Sequence, residues 1–139
     1  MKRLAVIFSI SLLLLAAAAN ATPVIFIVRH AEKTSSGGKD PELSVEGQKR
    51  ADALANILKD SQVAAVFVTE FKRTQETAAP TARGAHVSPT VIPAKDIGVL
   101  VAKLRGLNSN ALVVGHDVEI VICEQDLRRA SGILLVKFD

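Results

Sequence analysis

Five apolar runs, separated by amphipathic stretches and polar turns, set the framework of this chain. Val24-Ile25-Phe26-Ile27-Val28 follows Pro23 and ends abruptly at Arg29-His30. A continuous run of this length suits a strand buried on both faces, as in a parallel sheet. Val63 to Val68 and Ala111 to Val114 read the same way, the latter closed by Gly115-His116. Val87 to Ile92 is a weaker strand interrupted by Pro89, and Ile133 to Phe138 reads as the last one. Between them, Ser44 is placed to cap a helix with Val45, Ala51, Leu54, Ala55 and Leu58 on its apolar stripe. A second helix starts at Thr69 to Phe71 and runs toward Ala79, where Pro80 ends or bends it. A third, capped by Asp96, carries Ile97, Leu100, Val101 and Leu104 and stops at Gly106. Asp117 to Ala130 is ambiguous: its length suits a helix, but Ile120-Val121-Ile122 favours a strand. The alternation predicts a three-layer α/β/α domain with a mainly parallel sheet.

The N-terminus departs from this pattern. Lys2 and Arg3 precede an apolar stretch from Leu4 to Ala19, followed by Ala19-Asn20-Ala21. Charge, length and small residues together read as a signal peptide over residues 1–21. The stretch is shorter than the ~20 residues of a membrane span. Cleavage after Ala21 leaves residues 22–139 as one domain, exported to the periplasm or secreted, with no stable membrane insertion. Without Lys2 and Arg3, 15 basic residues face 14 acidic ones, a formal charge of +1 in place of +3. That near-balance argues against a general nucleic-acid surface, which needs a basic patch. The single cysteine, Cys123, excludes an intrachain disulfide and sits in an apolar run, where it reads as a buried inert thiol.

The polar residues at the strand ends carry the chemistry. In open parallel sheets, ligands bind beyond the carboxyl ends of strands. Here the first strand delivers Arg29 and His30. The second delivers Thr69 and Glu70, with Arg73 a turn later. The fourth delivers His116 and Asp117. Taken singly, each has an ordinary explanation: a surface turn, a solvated helix arginine, an edge histidine, a helix cap or a solvated carboxylate, Glu32 included. His86 has no partner at useful spacing and reads as structural or exposed. Taken together, two arginines, two histidines and carboxylates suit a phosphoryl group. A dianionic ester repels anionic nucleophiles but not a neutral imidazole. Guanidinium groups bind phosphoryl oxygens in forked fashion and stabilise transition-state charge. A departing alkoxide needs an acid beside it.

Val28-Arg29-His30-Ala31-Glu32-Lys33 resembles the Arg-His signature of the histidine phosphatase superfamily, which includes the phosphoglycerate mutases. Leu43-Ser44-x-x-Gly47, Thr69 to Ala78 and Val113-Val114-Gly115-His116 are similar to three further blocks of that family, in the same order. Four blocks in order are specific where one is weak. The resemblance implies a phosphoglycerate mutase-like fold and a phosphatase acting on a small phosphorylated substrate. His30 would be the nucleophile that becomes phosphohistidine. Arg29, Arg73 and His116 would form the phosphate pocket, with no cofactor and no metal. Zinc-ligand spacing is also missing among the three histidines. The acid stays open between Asp117, which directly follows the second histidine, and Glu70. The chain has no room for cap insertions, so the site should be open, with the Lys33–Glu42 loop able to serve as a flap. The segment after His116 is short. Two other functions fit the same residues: a phosphohistidine protein phosphatase, and a non-catalytic phosphate-ester binding module of the cell envelope.

Overall fold

The computed structural model describes residues 22–129 and 134–138. The proposed signal peptide, Ile133 and Ala130 lie outside the described residues. Five strands, β1 (Val24–Arg29), β2 (Val63–Val68), β3 (Thr90–Val91), β4 (Asn110–Gly115) and β5 (Leu134–Phe138), form one sheet in the order β3-β2-β4-β1-β5. Every pairing is parallel. Four helices, α1 (Val45–Leu58), α2 (Lys72–Ala85), α3 (Ile97–Arg105) and α4 (Asp117–Arg128), connect the strands. No helix among the described residues is long and apolar enough to cross a membrane.

Side chains alternate along each strand, so an uninterrupted apolar run feeds two cores at once. Ile25, Ile27, Phe67, Ala111 and Val113 pack with Leu100, Val101 and Leu104 of α3 and with Ile120, Cys123 and Leu127 of α4. Phe26, Val28, Val66, Val68, Leu112 and Val114 pack on the opposite face with Leu54 and Leu58 of α1 and Ala78 and Ala82 of α2. This is the three-layer arrangement expected from the alternating elements. The ends of the central strands are tied by Asn110, whose Oδ1 accepts from Val24 N (2.9 Å) and whose Nδ2 donates to the Ser61 carbonyl (2.8 Å).

Val45, Pro80 and the third strand depart from the sequence reading for physical reasons. Val45 is 67% exposed, so the buried stripe of α1 is Gly47, Ala51, Leu54 and Leu58. Helix α2 continues through Pro80 to Ala85. A mid-helix proline costs about 3 kcal/mol, and the buried face of Thr74, Thr77, Ala78, Thr81 and Ala82 against the sheet outweighs it. The helix stops at His86, which is left-handed at φ 56°, while Val87 N donates to the Ala82 carbonyl. The third strand shrinks to Thr90–Val91, directly after the donor-less Pro89. The ambiguous segment is helical because Ile120, Cys123 and Leu127 share one buried face, while Val121 and Ile122 stay exposed on the other. Asp96 stands at the N-cap of α3 without a side-chain capping bond.

Gly47 fixes how α1 meets the loop after β1. Ser44 caps α1 by accepting from Gly47 N (3.1 Å), as expected, and Ser44 N donates to the Glu32 carbonyl (2.8 Å). A Cβ on Gly47 would overlap that same carbonyl oxygen, whereas Gly84 on α2 faces open space. Gly47→Ala should therefore lower stability by about 2 kcal/mol through steric displacement. Gly84→Ala should be neutral or stabilise by up to about 1 kcal/mol. Urea denaturation of the two variants checks the contrast.

Candidate active site

The site is a consequence of strand register. Arg29 of β1 pairs with Gly115 of β4, and Val68 of β2 pairs with Val114. Adjacent strands lie about 4.8 Å apart, so the residues leaving β1, β4 and β2 emerge side by side. His30 and His116 are the next residues of neighbouring strands, and their rings sit 5.1 Å apart at 65°. His30 N donates to the Gly115 carbonyl (3.0 Å), extending the ladder by one step.

Each side chain is held by a different element. The His30 Nδ1 faces the Ala31 carbonyl at 2.8 Å. A carbonyl only accepts, so Nδ1 carries the proton and the lone pair sits on Nε2. Ala31 N in turn donates to Thr77 Oγ1 (3.0 Å) on α2, and the Thr77 hydroxyl donates to the Arg73 carbonyl (2.6 Å). One threonine thus locks the loop of the nucleophile candidate to the helix carrying Arg73. The β2–α2 turn is shaped by the buried hydroxyls of Thr69 and Thr74, 2.9 Å apart. Phe71 stands at the N-cap of α2 with the Arg73 guanidinium 4.4 Å above its ring, and the same ring meets His116 edge-on at 5.2 Å.

Arg73 is mostly buried, and its Nε has no hydrogen-bond partner among the described residues. Both ring nitrogens of His116 are buried and unpartnered in the same way. Arg29 is exposed and paired to Asp117 at 3.2 Å. Arg29, His30 and Asp117 share a cleft of about 500 Å³ with Lys33, Arg50, Ile120 and Val121. Burial lowers the His30 pKa below 6.5, the Ala31 carbonyl opposes this, and His116, Arg73 and Arg29 push it further down. Burial therefore leads, ahead of the arginines that the sequence suggested. His116 is also lowered, first by burial and then by Arg73, against the pull of Glu119, Glu70 and Asp117.

The remaining sequence candidates divide. Glu70 turns outward, its Oε2 accepting from Ala94 N (2.8 Å). Glu32 pairs with Arg50 at 2.7 Å. Its own backbone amide and then Arg50 hold its carboxyl below the usual range. His86 is exposed and Cys123 is buried, its thiol pushed up to about 11 by burial. The Lys33–Glu42 loop is docked at both ends. Thr34 N donates to the Glu42 carbonyl (2.9 Å), Asp40 Oδ1 accepts from Lys72 N (3.0 Å), and Leu43 N donates to Glu76 Oε2 (2.7 Å). Sequence reading missed Thr77, Asp40 and Glu119. Thr77 and Asp40 act across more than 30 residues and leave no local signal. Glu119 follows His116 at i+3, a spacing that has meaning only once the segment is known to be helical.

A family model described as the histidine phosphatase superfamily (branch 1) matches residues 25–94. The chain belongs to this superfamily. The match includes Arg29, His30, Glu70 and Arg73 and ends before the strand that carries His116. The fold resembles the structure of a protein histidine phosphatase, SixA, complexed with tungstate, at 22% identity and TM-score 0.66 over 81% of this chain and 82% of that one. It also resembles a protein assigned as a SixA phosphohistidine phosphatase from Agrobacterium tumefaciens, at 16% identity and TM-score 0.61 over 76% and 77%. A mycobacterial glucosyl-3-phosphoglycerate phosphatase gives 16% identity and TM-score 0.58 over 73% and 77%. Likenesses at these identities concern the fold. No curated protein matches the sequence.

In this member of the superfamily, Thr77→Val should leave the buried Ala31 amide unpaired and cost about 1–3 kcal/mol. Asp117→Asn breaks only an exposed ion pair and should change stability by less than about 1 kcal/mol. Thermal unfolding of both variants measures the difference.

Proposed function

We propose that this protein is a metal-independent phosphatase that hydrolyses small phosphate monoesters through a phosphohistidine on His30. The observation that carries the reading is the pair of buried nitrogens without hydrogen-bond partners among the described residues, Arg73 Nε and His116 Nε2, next to an imidazole whose Nε2 carries the lone pair. Unpaired buried donors are costly in a finished structure, and one anion with several acceptor oxygens satisfies them together.

In this mechanism Arg73, His116 and Arg29 hold the phosphoryl oxygens. His30 Nε2 attacks phosphorus as the ester P–O bond breaks, and the leaving oxygen takes a proton from Asp117. Water then attacks the phosphohistidine and gives its proton to Asp117, and the N–P electron pair returns to Nε2. Asp117 is favoured over Glu70 as the acid because it lines the cleft beside His30, whereas Glu70 is engaged with Ala94 N. The phosphoryl group takes over Arg29 and frees Asp117 for the proton. Hydrolysis of phosphorylated histidine on a protein is the second reading, favoured by an open cleft and by the likeness to the tungstate-bound protein histidine phosphatase. Export through the 1–21 segment belongs to the proposal as well, and an N-terminus at Thr22 in the protein recovered outside the cytoplasm is its signature.

Hydrolysis of an activated aryl phosphate should proceed in the presence of a chelator. His30→Ala should reduce it by about 10³-fold or more, Asp117→Asn by about 10²-fold, and Glu70→Gln little. Rapid quench should trap an acid-labile phosphoenzyme. His30 must be neutral to attack and its pKa is lowered from 6.5. Activity should therefore hold as pH falls through 6.5 and decline only at more acidic values, which a pH profile of kcat/KM measures. Full turnover in His30→Ala would end this reading.

A further inference from the structure

Glu119 is a mostly buried charged group beside the site that the reaction above leaves without a task. It lies in the first turn of α4, three residues after His116, with its side chain 16% exposed. Its Oε1 stands 3.6 Å from His116 Nδ1, and its Oε2 is buried with no partner among the described residues. A buried carboxylate is costly unless paired. The gap to Nδ1 exceeds a hydrogen bond by a few tenths of an ångström, so a small rotation of the imidazole closes it.

We propose that Glu119 is a positioning residue for His116: it takes the Nδ1 proton in a hydrogen bond, fixes the ring plane and stabilises the imidazolium that presents Nε2–H to the phosphoryl group. The inference rests on the phosphate-site reading above. Among the described residues, no other group around the ring can do this. His30 and Phe71 meet it through ring contacts. The charged groups acting on it are Asp117 and Glu119 of α4, Arg73 of α2 and Glu70 after β2, with His30 at the end of β1. Arg73 opposes the cation. Glu70 is bound to Ala94 N and Asp117 to Arg29. Glu119 alone of the three carboxylates is both buried and free to turn to the ring. Burial biases His116 toward the neutral form, and Glu119 is the largest influence against that bias. A neutral imidazole with Nδ1 unprotonated would still bind an anion through Nε2–H. With Glu119 behind it, the same ring binds as an oriented cation.

The decisive experiment is an NMR titration of the His116 ring in the free protein and in saturating inorganic phosphate, for wild type, Glu119→Gln and Glu119→Asp. Glu119→Gln keeps the shape and removes the charge. It should lower the His116 midpoint and move the alkaline limb of kcat/KM to lower pH, with a fall of about tenfold at neutral pH. Glu119→Asp should recover part of both effects. An unchanged His116 midpoint in Glu119→Gln, with the fold intact, overturns the proposal. So does equal loss of activity at every pH, the mark of a purely structural role. The ring titration requires no turnover. A wild type that shows the Glu119-dependent midpoint but hydrolyses no phosphoester would therefore count against the phosphatase reading and not against this one.

Discussion

Parallel pairing of β1 with β4, in the register that sets Arg29 opposite Gly115, is the constraint from which the rest of the site follows. Two strands 81 or more residues apart in sequence end level with each other, and each delivers a histidine one step past the ladder. The register is enforced by the cores. A slip of one residue would exchange Ile25 and Ile27 with Phe26 and Val28 between two faces packed by different helices. The hydrophobic effect therefore sets the spacing of the two imidazoles, and the polar residues inherit it.

Around that pair, the fold accepts unfavourable local arrangements. Two histidines and an arginine are brought together in partial burial, where Arg73 disfavours the charge of both imidazoles. Arg73 is held by the Phe71 face and a distant Asp40, 3.7 Å from its Nη1. Thr77 and Gly47 pin the loop after His30 from two different helices. A site whose polar nitrogens are gathered by the fold is preorganised: the cost of bringing these groups together is met by folding, so it need not be met again when a ligand arrives.

Much of this was legible in the sequence, for reasons that differ between elements. The runs Val24 to Val28 and Ala111 to Val114 could be read as strands buried on both faces because no polar residue interrupts them. The ends of those runs named Arg29, His30 and His116. Helix α4 could not be assigned locally, because its β-branched Ile120-Val121-Ile122 favours a strand, and only packing of Ile120, Cys123 and Leu127 on the sheet decides for helix. Pro80 misled for the same reason, since tertiary burial of α2 overrides a local breaker. Thr77 was invisible, being a side chain whose partner lies 46 residues away. The register of β1 on β4 was equally invisible, so the meeting of the histidines was a hypothesis until the strands were placed side by side.

The proposed function requires His30 and His116 to serve one tetrahedral anion. The most direct test is to follow the ring nitrogens of both residues by NMR while inorganic phosphate is added. Both should respond together, saturate at one equivalent and yield one shared dissociation constant. Response of one ring alone, or two different dissociation constants, would contradict it.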